Sequence, residues 1–168
     1  MADDADNVVL IGMAGAGKST VGRRLADQTD LAFLDTDALI EARQGRPLQQ
    51  ILDTEGVVGF RRIEEDCLLS LDCSGTVVST GGSVVFSDAV REHLRALGLV
   101  VWLDVPLEEI QTRLTNLDTR GVVMWPGETV EIIYHQRRPL YERWAHVRVD
   151  CSGKTPDAIA DAILAADR

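Results

Sequence analysis

Short unbroken apolar runs alternate along this chain with longer stretches of helical periodicity. Val8-Val9-Leu10-Ile11 is the first such run, the pattern of a strand buried on both faces of a parallel sheet. Leu31–Leu34, ending at Asp35, Thr76–Ser79, Leu99–Leu103 and His146–Val149 predict four more strands. Helices are predicted between and after them: Lys18–Thr29, Thr36–Gln44, Pro47–Glu55, Phe60–Leu71, Ser87–Leu97, Pro106–Leu114, Thr129–Arg143 and Thr155–Ala165. Pro47 and Pro156 fall near helix starts, where a missing N–H costs little. Ser87 reads as an N-cap. Gly121–Gly127 has no periodicity and reads as a loop.

Alternation of β and α elements predicts an α/β fold, a parallel sheet flanked by helices. No repeat, linker or low-complexity segment divides residues 1–168, so one domain is expected. Sheets of this kind bind ligands beyond the carboxyl ends of their strands. Three polar motifs fall at such ends: Gly12–Thr20, Asp35 with Asp37, and Gly81-Gly82-Ser83.

The first motif, Gly12-Met-Ala-Gly-Ala-Gly-Lys-Ser-Thr20, fits G-x-x-x-x-G-K-[ST] between a strand and a helix. Glycines let the backbone curl so that amides of Gly15, Ala16, Gly17, Lys18, Ser19 and Thr20 can cradle phosphates. The helix N-terminus adds its positive dipole end. Lys18 is placed to reach the β- and γ-phosphates of ATP, and the Ser19 hydroxyl to bind Mg²⁺. Asp53-Thr-Glu-Gly56 matches the D-x-x-G of a GTPase switch, but no Asn-Lys-x-Asp base-reading motif follows, so a GTPase is rejected.

Asp35-Thr-Asp37 offers two carboxylates just past a strand end. One can hold water on Mg²⁺ while the other approaches an acceptor hydroxyl. The same spacing also suits a polar turn with Asp35 as N-cap. Arg61 follows Gly56 on a helix, and Arg113, Arg120, Arg137 and Arg138 gather around the late loop. A planar guanidinium forks onto a carboxylate or phosphate, so the acceptor is expected to be anionic as well as an alcohol. Arg23, Arg24, Arg43, Arg91, Arg95 and Arg148 read as solvated surface.

A formal net charge of −10 disfavours nucleic acid as a partner. It requires the cations that hold ATP to be concentrated locally. No apolar run approaches the roughly 20 residues that span a membrane, and the acidic start is not a secretory signal, so the cytoplasm is the default. Cys67, Cys73 and Cys151 have no metal-ligand spacing and read as reduced thiols. His93, His135 and His146 are scattered.

Taken together, G-x-x-G-x-G-K-S-T, D-T-D, Phe60-Arg-Arg-Ile-Glu-Glu65, Gly81-Gly82, a lid beginning with Arg120, and Arg137-Arg-Pro-Leu-Tyr141 resemble shikimate kinase in order and spacing. The resemblance runs from about Val8 to Pro156. It implies a P-loop NTPase fold like that of nucleoside-monophosphate kinases, with five parallel strands and a lid at about 115–128. It implies transfer of the ATP γ-phosphate to the 3-hydroxyl of shikimate, on the route to chorismate and aromatic amino acids. By position, Asp37 would bind the acceptor hydroxyls and orient or deprotonate the attacking one, Arg61 and Arg137 would grip its carboxylate, and Gly82 N–H would help fix the ring. Asp35 would hold water on Mg²⁺ beside Ser19, and Arg120 would meet the transferring charge. Arg113 and the Ser152–Pro156 loop would flank the adenine. A monomer is the family default.

Three departures cluster on the acceptor side. Val57 stands where the family usually has Glu, Ser83 where it has a third glycine, and the lid reads Arg120-Gly-Val-Val-Met-Trp-Pro-Gly127. Homoserine or gluconate is the alternative acceptor, and a non-catalytic ATP-binding regulatory module the alternative of another class.

Overall fold

The computed structural model describes residues 7–117 and 122–166, and the side chains among them except at 116 and 117. Five strands, β1 (Asn7–Ile11), β2 (Ala32–Asp35), β3 (Thr76–Ser79), β4 (Gly98–Asp104) and β5 (Val147–Asp150), form one sheet in the order β2-β3-β1-β4-β5. All four pairings are parallel. β1 is buried at every position, as its unbroken apolar run requires.

The helices are α1 (Lys18–Thr29), α2 (Thr36–Gln44), α3 (Leu48–Leu69), α4 (Asp88–Leu97), α5 (Leu107–Leu117), α6 (Val130–Trp144) and α7 (Pro156–Ala166). Their starts follow local chemistry. The side chains of Asp35, Ser87 and Thr129 accept backbone N–H groups at the openings of α2, α4 and α6. Two expected helices, Pro47–Glu55 and Phe60–Leu71, abut as the single element α3. The break survives as a kink at Gly56, whose φ of 68° and ψ of −179° lie outside helical space. A 3-10 turn, Val84–Phe86, follows Ser83 and was not expected from the pattern.

The chain leaves β1 toward β2 but leaves β3 toward β4, on the other side of β1. The carboxyl ends of β1 and β3 therefore flank the crevice where such sheets bind ligands. Thr80 fastens this edge, its N–H and hydroxyl both donating to Leu10 O, at 3.2 and 2.8 Å. The main core fills both faces of the sheet. A second, smaller core of Ile40, Ile51, Val57, Phe60, Cys67 and Val123 joins α2 and α3 to the late loop. Val57 thus contributes packing, and Val123 anchors the loop beside the crevice.

Candidate active site

The turn from β1 into α1 builds the phosphate side. Gly15 and Gly17 take φ of 78° and 87°, a region open to glycine and strained for residues with a Cβ. Ala16 is buried beneath the loop, its N–H donating to Met13 O at 3.0 Å. Lys18 is buried, and its ammonium donates to the carbonyls of Gly12 and Met13, each at 2.7 Å. Burial lowers its pKa to about 8, with the charge of Asp37 pulling the other way.

The Ser19 hydroxyl donates to Asp35 Oδ2 at 2.7 Å and lies 3.2 Å from the Ser79 hydroxyl. Asp35 Oδ1 accepts from Asp37 N at 2.9 Å and Ala38 N at 3.3 Å. Asp35 is therefore a helix cap with its second oxygen turned to Ser19. Such hard oxygen donors suit Mg²⁺. Among the described residues no group of three or more His, Cys, Asp or Glu could hold an ion, so Mg²⁺ here would draw the rest of its shell from water and phosphate.

A cavity of about 320 Å³ opens between these elements. Gly15, Gly17, Lys18, Ser19 and Thr20 line it together with Asp37, Gly82 and Arg137. Asp37 stands in the first turn of α2. Burial, and then the neighbouring Asp35, raises its pKa to about 6. Arg137 is 1% exposed on α6; its Nη2 donates to Val123 O, and its Nε has no partner. Tyr141 donates to Gly82 O at 2.6 Å and so fixes the strand-three glycines against α6.

Glu64 was not singled out from the sequence as a site residue, yet it lines this cavity and is 3% exposed. Its Oε1 accepts from Ser83 Oγ at 2.7 Å. A Cβ built on Gly81 would lie 2.9 Å from both Asp37 Oδ1 and Glu64 Oε2, which places the two carboxylates side by side. Burial raises the Glu64 pKa to about 7, against the pull of the Ser83 hydrogen bond. A signal was present. Phe60, Glu64, Cys67 and Leu68 are the buried positions of that part of α3, so Glu64 is a charge on an apolar stripe.

Arg61 lies off the first cavity. It lines an adjoining one of about 300 Å³ that also touches Phe86, with Glu64 and Ser83 lining both. Arg113 donates to Gly15 O at 3.0 Å and pairs with Glu109 at 3.3 Å. Glu109 accepts from Gly153 N at 3.0 Å, so α5, the phosphate loop and the turn before α7 are tied together. Pro156 opens α7 and is exposed. Arg120 lies outside the described residues.

Arg148 is exposed, as expected, and Arg138, grouped by sequence with the arginines of the late loop, turns to the end of β4 and does not line the cavity that holds Asp37. Both pair with Asp104, at 2.6 and 3.0 Å, and both guanidiniums lie about 5 Å from the Trp102 ring. Asp104 is 7% exposed at the end of β4, and a carboxylate that deep requires cationic partners.

A family model described as shikimate kinase matches residues 14–168. A shikimate kinase of Mycobacterium avium is 42% identical over 163 residues, 95% of this chain and 92% of the relative. One of Vibrio cholerae is 38% identical over 162 residues, 94% of this chain and 92% of the relative. The solved shikimate kinase of Acinetobacter baumannii, in complex with shikimate, superposes with a TM-score of 0.88 at 32% identity, covering 96% of this chain and 92% of that one. With the motifs in order and the sheet built as they require, this chain belongs to the shikimate kinase family.

Proposed function

We propose that this chain transfers the γ-phosphate of ATP to the 3-hydroxyl of shikimate. The observation that carries the reading is one cavity lined together by Asp37, the phosphate loop and the buried Arg137. A base, a triphosphate cradle and a carboxylate-binding fork are what phosphorylation of a hydroxy acid needs.

In this reading the amides of Gly15–Thr20 and the Lys18 ammonium bind the phosphates of ATP. Arg113 and Pro156 flank the base. Arg61, Arg137 and the Gly82 amide hold the acceptor carboxylate and ring. Asp37 orients the hydroxyl and takes its proton as the new O–P bond forms. The bond from the γ-phosphorus to the β–γ bridging oxygen breaks, and ADP leaves. Arg120 stabilises the charge in transit. Ser19 and, through a water, Asp35 would hold Mg²⁺, which when bound would neutralise charge on the phosphate oxygens. The working unit in this reading is a single chain in the cytoplasm.

The test is the position of the phosphate. ³¹P and ¹H NMR of the product should show phosphorus coupled to the proton on carbon 3 of shikimate. Inorganic phosphate alone, or a phosphate on another hydroxyl, would overturn the reading.

A further inference from the structure

The two acceptor arginines carry like charges close together with little to neutralise them. Burial, and then the neighbouring Arg137, lowers the pKa of Arg61 below the ordinary arginine value. Among the described residues neither Arg61 nor Arg137 forms an ion pair, and the Nε of each is buried without a hydrogen-bond partner. Two carboxylates, Glu64 and Glu128, act on Arg61 from nearby without pairing with it; Glu64 has one oxygen taken by Ser83 and the other near Asp37. Val57, a possible site for a supporting charge, is an apolar residue buried in the smaller core.

What the two guanidiniums share is an aromatic ring. Arg61 Cζ lies 4.0 Å from the centroid of Phe86, and Arg137 Cζ lies 5.6 Å from the same centroid. The Trp125 ring is 5.9 Å from Arg61 Cζ. Phe86 ends the 3-10 turn after Ser83, is 40% exposed, and does not line the cavity that holds Asp37. Trp125 is also exposed, at 44%.

We infer that Phe86, with Trp125 beside Arg61, is a positioning residue that holds Arg61 and Arg137 by their π-faces and so leaves the N–H groups that Val123 does not take open for the acceptor carboxylate. The physical distinction is geometric. A carboxylate counter-ion binds a guanidinium along its N–H fork, the same donors an acceptor carboxylate requires. A ring attracts the cation through its quadrupole and consumes no donor. The acceptor then meets a site whose donors are preorganised and, apart from the Arg137 Nη2 given to Val123 O, unoccupied, which favours anionic planar groups. The role toward an acceptor carboxylate rests on the reading above, whereas the hold of the ring on the two guanidiniums does not.

The experiment compares wild type with Phe86→Leu, Phe86→Tyr and Trp125→Ala. All sit at exposed positions, so folding should survive, which circular dichroism checks. The first readout needs no acceptor: the arginine Nε–Hε NMR signals, assigned by Arg61→Lys and Arg137→Lys. In wild type the Arg61 and Arg137 signals should be displaced by the ring current of Phe86. Phe86→Leu should return them toward free arginine, and Phe86→Tyr should not. The second readout is kinetic. Phe86→Leu should raise the shikimate KM by about fivefold to tenfold, with kcat and the ATP KM within about twofold, and Phe86→Tyr should restore it. Trp125→Ala should raise the same KM by about threefold. Nε signals that Phe86→Leu leaves unmoved would overturn the inference. So would an equal rise in both KM values, since that marks a general loss of structure. Should wild type prefer another carboxylated acceptor, that acceptor's KM takes the place of shikimate's, and the assignment falls while the inference is still decided.

Discussion

Burial opposes two charges that the proposed reaction uses. It brings Lys18 down to about 8 and Asp37 up to about 6, and each charge partly offsets the shift of the other. Removing one of the pair should therefore separate chemistry from binding. Asp37→Asn keeps the shape and loses the base. It should cut kcat by about 10²- to 10⁴-fold while the ATP Kd, by calorimetry, stays within about threefold. Arg61→Ala should instead raise the shikimate KM by at least about tenfold, with a smaller effect on kcat. The phosphate loop and Asp35 were legible from sequence because their roles are fixed by spacing along one local segment. Glu64 was marked only as a charge on an apolar stripe and Phe86 not at all, because their roles depend on which turn of α3 meets which side of the strand-three turn, and that is a tertiary matter.

Element order and type followed from periodicity, and most boundaries fell within one or two residues of expectation. Helix starts with a capping side chain, at Asp35 and Ser87, were readable because the cap is local chemistry. The junction inside α3 shows what pattern alone leaves out. Gly56 interrupts the helical dihedrals without adding a linker, so two helices read as separate meet end to end. Its φ of 68° and ψ of −179° belong to a region that is essentially glycine-only. A Cβ there would meet nothing within 4 Å, so the cost of a substitution is confined to the backbone. Gly56→Ala should destabilise the fold by about 1–3 kcal/mol, measured by urea unfolding. Because Ile51, Val57 and Phe60 pack around this junction with Val123, the same variant should weaken shikimate binding more than ATP binding.

At the scale of the whole molecule, the alternation of strands and helices was enough to give a five-stranded parallel sheet with its ligand motifs on one edge. The identity of the acceptor was the least legible feature, because Val57, Ser83 and the late loop depart from the family pattern. Two of those departures now have structural accounts: Val57 fills the smaller core, and Ser83 holds Glu64. The burial of Glu64, which the Ser83 hydrogen bond offsets only in part, has a consequence for stability. With its pKa raised from 4.5 to about 7, Glu64 keeps its proton in the folded state where the unfolded chain has lost it. The folded state therefore binds more protons across that window, and stability falls as pH rises through it. Glu64→Gln stays neutral and can still accept from Ser83. It should exceed wild type by about 2 kcal/mol, or about 5 °C in Tm, near pH 8. The gap should close by about pH 4. A gap that is constant with pH would show that Glu64 is not the group responsible.

The central claim is that the site transfers phosphate to a carboxylated acceptor fitted to Asp37, Arg61 and Arg137. Its most direct test is ADP release by the purified chain with ATP and Mg²⁺, measured separately with shikimate, homoserine and gluconate. The account predicts saturable turnover with shikimate and rates near background with the other two. Saturable turnover with homoserine or gluconate and none with shikimate, or ATP binding without turnover on any of the three, would contradict it.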